Sequence, residues 1–207
     1  KYPNNYLAYS NLGNLYYSKN SLDSAIYYCS KAIEINKNHA EDYLNRGCAY
    51  KSLGFMDKAF EDFTETIKLN SRDAEAYNNR GIIYEELGFL DFALNDYNSA
   101  ISINSLDEEL YYNRGNLYSK TKQPESALAD YNRAIKLNPN HADAYNNRGI
   151  ILGDQGKYDE ALINFNKAIG INPRLGIYYF NRGNCYEKLN KKKEAASDFE
   201  KAQQCKE

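Results

Sequence analysis

Between residues 74 and 107 the apolar positions keep a helical rhythm that is broken once. Ala93, Leu94, Tyr97, Ala100, Ile101 and Ile103 fall along one face of a helix predicted from about residue 90 to 103. A first helix is predicted over 74–87, Gly88 breaks it, and Asn104-Ser105 closes the second. The first turn of the second helix carries an acid in most copies of this pattern: Asp23, Asp57, Asp91, Glu125 and Asp159. Helix dipoles favour that placement. Pro139 and Pro173 follow second helices, where no helical hydrogen bond is lost.

The copies are in strict register. Glycine recurs at Gly13, Gly47, Gly81, Gly115, Gly149 and Gly183, always 34 residues apart. The phrase around it also returns, as Tyr-Leu-Asn-Arg-Gly ending at Gly47 and Tyr-Phe-Asn-Arg-Gly ending at Gly183. Ala25, Ala59, Ala93, Ala127, Ala161 and Ala195 hold a second fixed post. A helical Gly costs about 0.8–1.0 kcal/mol against Ala, so helix stability cannot account for six of them. Close approach of paired helices can. A fixed period of this length marks units that bury their apolar faces only against their neighbours. The expected fold is all-α, an alpha-alpha superhelix or solenoid of six antiparallel helical hairpins. Residues 1–207 are read as one domain with repeats at 6–39, 40–73, 74–107, 108–141, 142–175 and 176–207.

Within each unit, Tyr stands at the fourth place, Gly at the eighth, Tyr at the eleventh and Ala at the twentieth and twenty-seventh, with Pro near the thirty-second in two units. This pattern resembles the tetratricopeptide repeat, in which Trp is usual at the fourth place. Thr66 in place of Ala and Leu152 in place of Tyr are small departures. The resemblance implies a right-handed superhelix whose first helices line a concave groove, with protein ligands held inside it.

One polar residue repeats without exception beside the glycine: Asn11, Asn45, Asn79, Asn113, Asn147 and Asn181. Asn is a mediocre helix former, so something other than propensity keeps it there. A carboxamide both donates and accepts, and one side chain can pair with the N–H and C=O of a peptide. A column of them could grip an extended chain through its backbone. The alternative is that the amides satisfy a neighbouring helix or their own carbonyls. Buried structural Asn would then need a partner at every copy. If the column faces the groove, Asn14, Asn116 and Asn184 three places later and Asn78 and Asn146 one place earlier flank it. The column is similar to the asparagine ladder on the tetratricopeptide superhelix of O-linked N-acetylglucosamine transferase, whose catalytic domain has no counterpart here.

Other columns point inward or to solvent. Glu41, Glu75, Glu109 and Asp143 at the second place would tilt the groove towards basic segments or form a solvated rim. The family's two-carboxylate clamp needs Lys and Arg where Ser10, Leu44, Glu75 and Asn79 stand, so that function is rejected. Arg46, Arg80, Arg114, Arg148 and Arg182 go with Asp62, Asp96, Asp130, Asn164 and Asp198 sixteen residues later. The first unit instead pairs Leu12 with Tyr28. An Arg–Asp link between the two helices of a hairpin is expected, given the fork geometry of guanidinium for carboxylate.

Composition narrows the function. A net charge of −2 and a pI of about 5.8 leave no basic excess for phosphates, so no nucleic acid partner is expected. No apolar run approaches the roughly 20 residues that span a bilayer, so no membrane partner is expected either. Cys29, Cys48, Cys185 and Cys205 show neither metal spacing nor a disulfide framework, which suits reduced thiols and an intracellular, cytoplasmic location. His39 and His141 share one loop place, and no phosphate loop, zinc-protease or serine-hydrolase motif appears. The run from Lys191 to Lys193 reads as a solvated turn. No cofactor, metal or catalytic residue is expected, and the chain is read as no enzyme. The expected function is a scaffold binding an extended polypeptide in an asparagine-lined groove. Two alternatives stand beside it: a targeting arm for an enzyme encoded elsewhere, and a structural subunit of a larger assembly. The chain opens on Lys1 rather than Met, and the last helix is followed by no polar cap. End-to-end self-association and continuation in a longer parent are both consistent with that.

Overall fold

A computed structural model describes residues 5–205. Among them are twelve α-helices and no strand, paired as α1(Tyr6–Ser18)/α2(Leu22–Ile35), α3(Ala40–Ser52)/α4(Met56–Leu69), α5(Ala74–Glu86)/α6(Leu90–Ile103), α7(Glu108–Lys120)/α8(Pro124–Leu137), α9(Ala142–Asp154)/α10(Tyr158–Ile171) and α11(Gly176–Lys188)/α12(Lys192–Gln204). The expected all-α fold of six helical hairpins is what the chain forms. It divides into two compact units, 1–105 and 106–207, each with three hairpins.

Each turn inside a hairpin is made by one residue in the left-handed region. Gly54, Gly88 and Gly156 take φ of +80°, +82° and +76°, and Asn20, Lys122 and Asn190 take +57°, +58° and +57° at the equivalent places. Glycine enters that region without steric cost, and Asn tolerates it. The turns between hairpins use a different device. Asn36 and Asn70 in the first unit, and Asn138 and Asn172 in the second, follow the second helix. Each accepts, through Oδ1, the backbone N–H two residues on, at 3.0–3.2 Å. These are Asx turns, and they fix the angle at which the next hairpin starts. Its first helix is then capped by the preceding side chain in several copies. Asn5, Asp73, Asp107 and His141 each accept a first-turn N–H.

The lysine run differs from expectation. Only Lys191 lies in the turn, as the N-cap of α12, while Lys192 and Lys193 form the first helical turn. Ala195 at the fourth helical place is already buried, so apolar contact sets that start.

The core confirms close approach at the glycines and gives its cause. A Cβ built on Gly47, Gly81, Gly115, Gly149 or Gly183 would lie 2.6–3.0 Å from an aromatic ring of the partner helix: Phe63, Tyr97, Tyr131, Phe165 or Phe199. The first unit packs Cys48, Ala59, Phe63 and Ile83 into one cluster. The second unit packs Leu152, Ala161, Leu162, Phe165 and Cys185 into another. In both, a ring from one hairpin lies beneath a first-helix residue of the next. Hairpins therefore stack through first helices laid on the preceding pair.

Candidate functional site

Arginine is the best place to begin, because its column stands beside the asparagines. Arg46, Arg80, Arg114 and Arg182 each hold the Asp sixteen residues later through Nε and Nη2, at 2.7–2.9 Å. These are the expected links between the two helices of a hairpin. The carboxylate bonds push the Arg80, Arg114 and Arg182 guanidiniums above their ordinary range against the opposing effect of burial. Arg148 meets a neutral amide at the equivalent place, the Asn164 carbonyl oxygen at 2.8 Å, and burial moves its pKa the other way. Some of the arginines reach further, into the preceding hairpin. Arg46 donates through Nη1 to Ser30 at 3.0 Å, Arg148 to Asn132 at 2.7 Å and Arg182 to Asn166 at 2.5 Å. The column is thus occupied within the protein. In the first hairpin, where Leu12 replaces Arg, Tyr28 stacks between Tyr9 and Tyr16 instead.

The asparagine column runs one residue earlier on the same helices, so its side chains point about 100° away from the arginines. In the first unit Asn11 and Asn14 are exposed, and Asn14 donates to Glu41 at 3.2 Å. Asn45 is half-buried, and its Nδ2 is enclosed without a hydrogen-bond partner. Asn79 is buried, accepts from Lys51 and donates to Cys48 Sγ at 3.6 Å. Asn78 is half-buried.

The second unit joins its amides into a chain. Asn147 Nδ2 donates to Asn116 Oδ1 at 2.9 Å and to the Tyr112 hydroxyl at 3.3 Å. Asn116 Oδ1 also accepts from the Tyr131 hydroxyl at 2.8 Å. Asn146 Nδ2 donates to Asn147 Oδ1 at 3.0 Å, and Asn146 Oδ1 accepts from Asn181 Nδ2 at 2.9 Å. Asn113, Asn147 and Asn181 are half-buried, Asn146 is buried and Asn184 is exposed. The amides therefore have partners on the next first helix, as well as surface open to solvent.

Two clefts lie along this face of the second unit. One, of about 260 Å³, is lined by Asn116, Ser119, Lys120, Tyr131, Asn147 and Ile150. The other, of about 360 Å³, takes in Ile150, Asp154, Tyr158, Asn181, Asn184 and Lys188 among its walls. They share Ile150, which is 37% exposed, and each offers two asparagines and an aromatic ring. Sequence reasoning placed the asparagines on one stripe but had no way to show enclosed space there. A larger cleft of about 640 Å³ lies elsewhere in the same unit, lined by Gly176, Ile177, Phe180, Phe199, Ala202 and Gln203. It is almost wholly apolar and holds none of the column.

The acids of the second place edge the face. Glu109 stands 3.4 Å from His141 Nε2, and burial raises its pKa above the ordinary carboxylate range. Asp143 accepts from the Tyr178 hydroxyl at 2.6 Å, and Glu75 lies 3.6 Å from Cys48 Sγ. His141 spends its other nitrogen capping α9, accepting from Ala144 N at 3.3 Å, and His39 pairs with buried Asp42 at 3.0 Å. The thiols of Cys29 and Cys48 are pushed up to about 12 by burial, which makes them poor nucleophiles. Among the described residues no group of three or more His, Cys, Asp or Glu could hold a metal, and no helix is long and apolar enough to cross a membrane.

Comparison with known proteins agrees with this architecture. The tetratricopeptide repeat pattern matches residues 6–39, 44–107, 108–141, 142–175 and 176–206. No curated protein matches the sequence. Among solved structures, the chain is similar to YrrB, described as a tetratricopeptide repeat protein with an unusual peptide-binding site. Identity is 28% and the TM-score 0.69, over 86% of this chain and 91% of that one. A tetratricopeptide repeat protein from Parabacteroides merdae is 27% identical with a TM-score of 0.77, covering 95% of this chain and 78% of that one. PilF of Pseudomonas aeruginosa, at 19% identity and TM-score 0.82 over 93% of this chain and 88% of that one, shares the fold. With its hairpins, its glycine–ring contacts and a family pattern matched along nearly its whole length, the chain belongs to the tetratricopeptide repeat family of protein-interaction scaffolds.

Proposed function

We propose that the asparagine-lined face of the first helices binds an extended polypeptide, and that the chain acts through this binding rather than by catalysis. The observation that carries the reading is the pair of clefts sharing Ile150 in the second unit, each lined by two asparagines. An extended strand advances about 3.3 Å per residue with side chains alternating in direction. Alternate side chains would enter the clefts, while Asn147 and Asn181 trade their bonds to Asn116 and Asn146 for the peptide backbone. Such an exchange costs little, because one amide hydrogen bond replaces another. Asp154 and Lys188 at the second cleft favour polar or charged neighbours in the ligand, and Ile150 favours an apolar anchor. The likeness to YrrB supports a peptide ligand as a class.

The test is an array of extended peptides read against the full chain, its Asn147→Ala/Asn181→Ala variant and an Ile150→Arg variant. Ile150→Arg fills the shared wall and leaves every asparagine in the chain. Both variants should lose about tenfold or more in affinity, with melting temperature tracked separately. Binding unchanged in both would eliminate this face as the site. If no form binds any peptide, the apolar cleft at Phe180 and Phe199 becomes the favoured contact surface, and the chain a structural subunit.

A further inference from the structure

The corner between α5 and α6 in the first unit carries aromatic surface that neither the core nor the asparagine face uses. Leu87, Phe89 and Phe92 are 57%, 53% and 57% exposed. Phe92 stacks on Tyr84, with centroids 5.2 Å apart and an interplanar angle of 25°. Phe89 stands edge-on to both rings at 6.4 Å. Phe60 from the preceding hairpin braces Tyr84 at 5.1 Å, and the Arg80 guanidinium, held by Asp96, lies 5.8 Å from the Tyr84 centroid. Tyr84 is thus covered on both sides, whereas Phe89 and Phe92 keep faces turned to water.

One hairpin earlier the same frame is filled. Tyr50 and Phe55 stand where Tyr84 and Phe89 do, and Lys58 stands in the place of Phe92. Lys58 Nζ lies 5.3 Å from both the Tyr50 and the Phe55 centroids. The second unit repeats the device at α11–α12, where Lys191 Nζ is 5.9 Å from the Tyr186 ring. An ammonium over an aromatic face is attracted by the ring quadrupole. At α5–α6 the Arg80 guanidinium lies against Tyr84, and residues 81–105 contain no Lys, Arg or His to cover Phe89 and Phe92. The exposed carboxylates Glu86 and Asp91 flank the rings instead. Open π-faces, bordering negative charge and a missing internal cation describe one kind of complement.

We infer that the Phe89–Phe92 corner is a docking site for a lysine or arginine side chain presented by a basic, partly aliphatic segment of a protein partner. The cation sits over the Phe92 and Phe89 faces, near Glu86 and Asp91, and aliphatic neighbours cover Leu87. This site lies on α5–α6 and does not rest on peptide binding by the asparagine face.

The experiment titrates the full isotope-labelled chain with the peptide Ac-Leu-Arg-Leu-Lys-Leu-NH2 and its twin carrying Gln at the Arg and Lys places, reading backbone amide shifts. The basic peptide should move the amides of Gly88, Phe89, Asp91 and Phe92, and the Gln twin should bind about two- to fivefold more weakly, as exposed cation–π pairs allow. Phe92→Lys installs the arrangement of the preceding hairpin and should weaken the basic peptide by a similar factor. Phe89→Gln, the residue of the fourth hairpin at that place, should do the same and guards against a folding defect in the first variant. Equal affinity of the two peptides at these amides would show a merely apolar patch and overturn the inference. So would basic-peptide binding that moves none of these amides or ignores both substitutions.

Discussion

A single methyl group has opposite meanings at two glycines of the second unit. At Gly115 an added Cβ would lie 2.8 Å from the Tyr131 ring, which is itself buried, so neither atom can yield cheaply. At Gly170, inside α10, nothing lies within 4 Å. Gly115→Ala should destabilise the fold by about 1–3 kcal/mol through overpacking, less the helix-propensity gain of up to about 1 kcal/mol. Gly170→Ala should stabilise it by about 0.5 kcal/mol, the smaller value suiting a place near the helix end. Thermal or urea unfolding of the two variants checks the signs, and like signs would refute the account. The period made the Gly115 series legible in sequence as a site of close approach. The atom approached was not legible there, because helix-on-helix and ring-on-helix contact leave the same glycine. The second series, at Gly88 and its equivalents, was masked by Asn20, Lys122 and Asn190. Those side chains reach the same φ as glycine without sharing its identity.

Every hairpin but the first is held at mid-length by an arginine, and the fifth hairpin is the imperfect copy. Arg148 is half-buried, yet faces a neutral amide where its counterparts face carboxylates. Asn164→Asp should let both guanidinium bonds form and stabilise the hairpin by about 1 kcal/mol, the scale of a charge-assisted pair less the lost bond from Asn164 Nδ2 to Glu160 O. The same substitution should bring the Arg148 pKa into line with the raised values of its counterparts. A fall in melting temperature would mean that the second buried charge costs more than its pairing returns. This pairing was readable from sequence because it depends on one hairpin, and a hairpin's register follows from counting. The links from Arg46, Arg148 and Arg182 to the preceding hairpin were not, since they depend on how far apart neighbouring pairs stack. The Asx turns fall between these cases. Asn36, Asn70, Asn104, Asn138 and Asn172 recur every 34 residues in plain sight, but a side-chain oxygen such as that of Asn36 shows its role only once the loop has a shape.

Across the molecule, burial of the thiols offers a reading of local opening in both units. Cys29, Cys48 and Cys185 are buried and Cys205 is partly exposed. A thiol reagent near pH 8 should therefore modify Cys205 first, and the others only as fast as their hairpins open, as mass spectrometry of quenched samples would show. Rapid labelling of Cys29 in the native protein would contradict its packing. The pH dependence follows from the same burial. Cys29 and Cys48 titrate near 12 when folded, against an ordinary thiol value of about 9. The folded state thus holds the protonated form more firmly than the unfolded chain does. Their contribution to stability is complete below about pH 9 and is lost as pH climbs from there towards 12. At this scale the sequence announced the family and the stripe of amides. It could not reveal that the amides of the second unit bond one another across hairpins, because neighbouring first helices meet only after stacking. Nor could it distinguish the open corner at Phe89 from ordinary exposed aromatics.

The arginine staple also constrains how such a chain can change length. Arg80 meets Asp96 across a turn of two helices, and a residue added within α5 after Arg80 would rotate everything beyond it by about 100°. Tyr84 would leave Phe92, and α5 would present a different face to α6. An extra residue in the turns between hairpins leaves each staple whole and disturbs only the stacking angle. Insertions and deletions in descendants of this gene should therefore gather beside the Asx asparagines, or arrive as whole hairpins. The count of 34 is kept by one bare glycine in each copy and by a buried arginine in every copy but the first, so the natural unit of inheritance here is the hairpin rather than the residue.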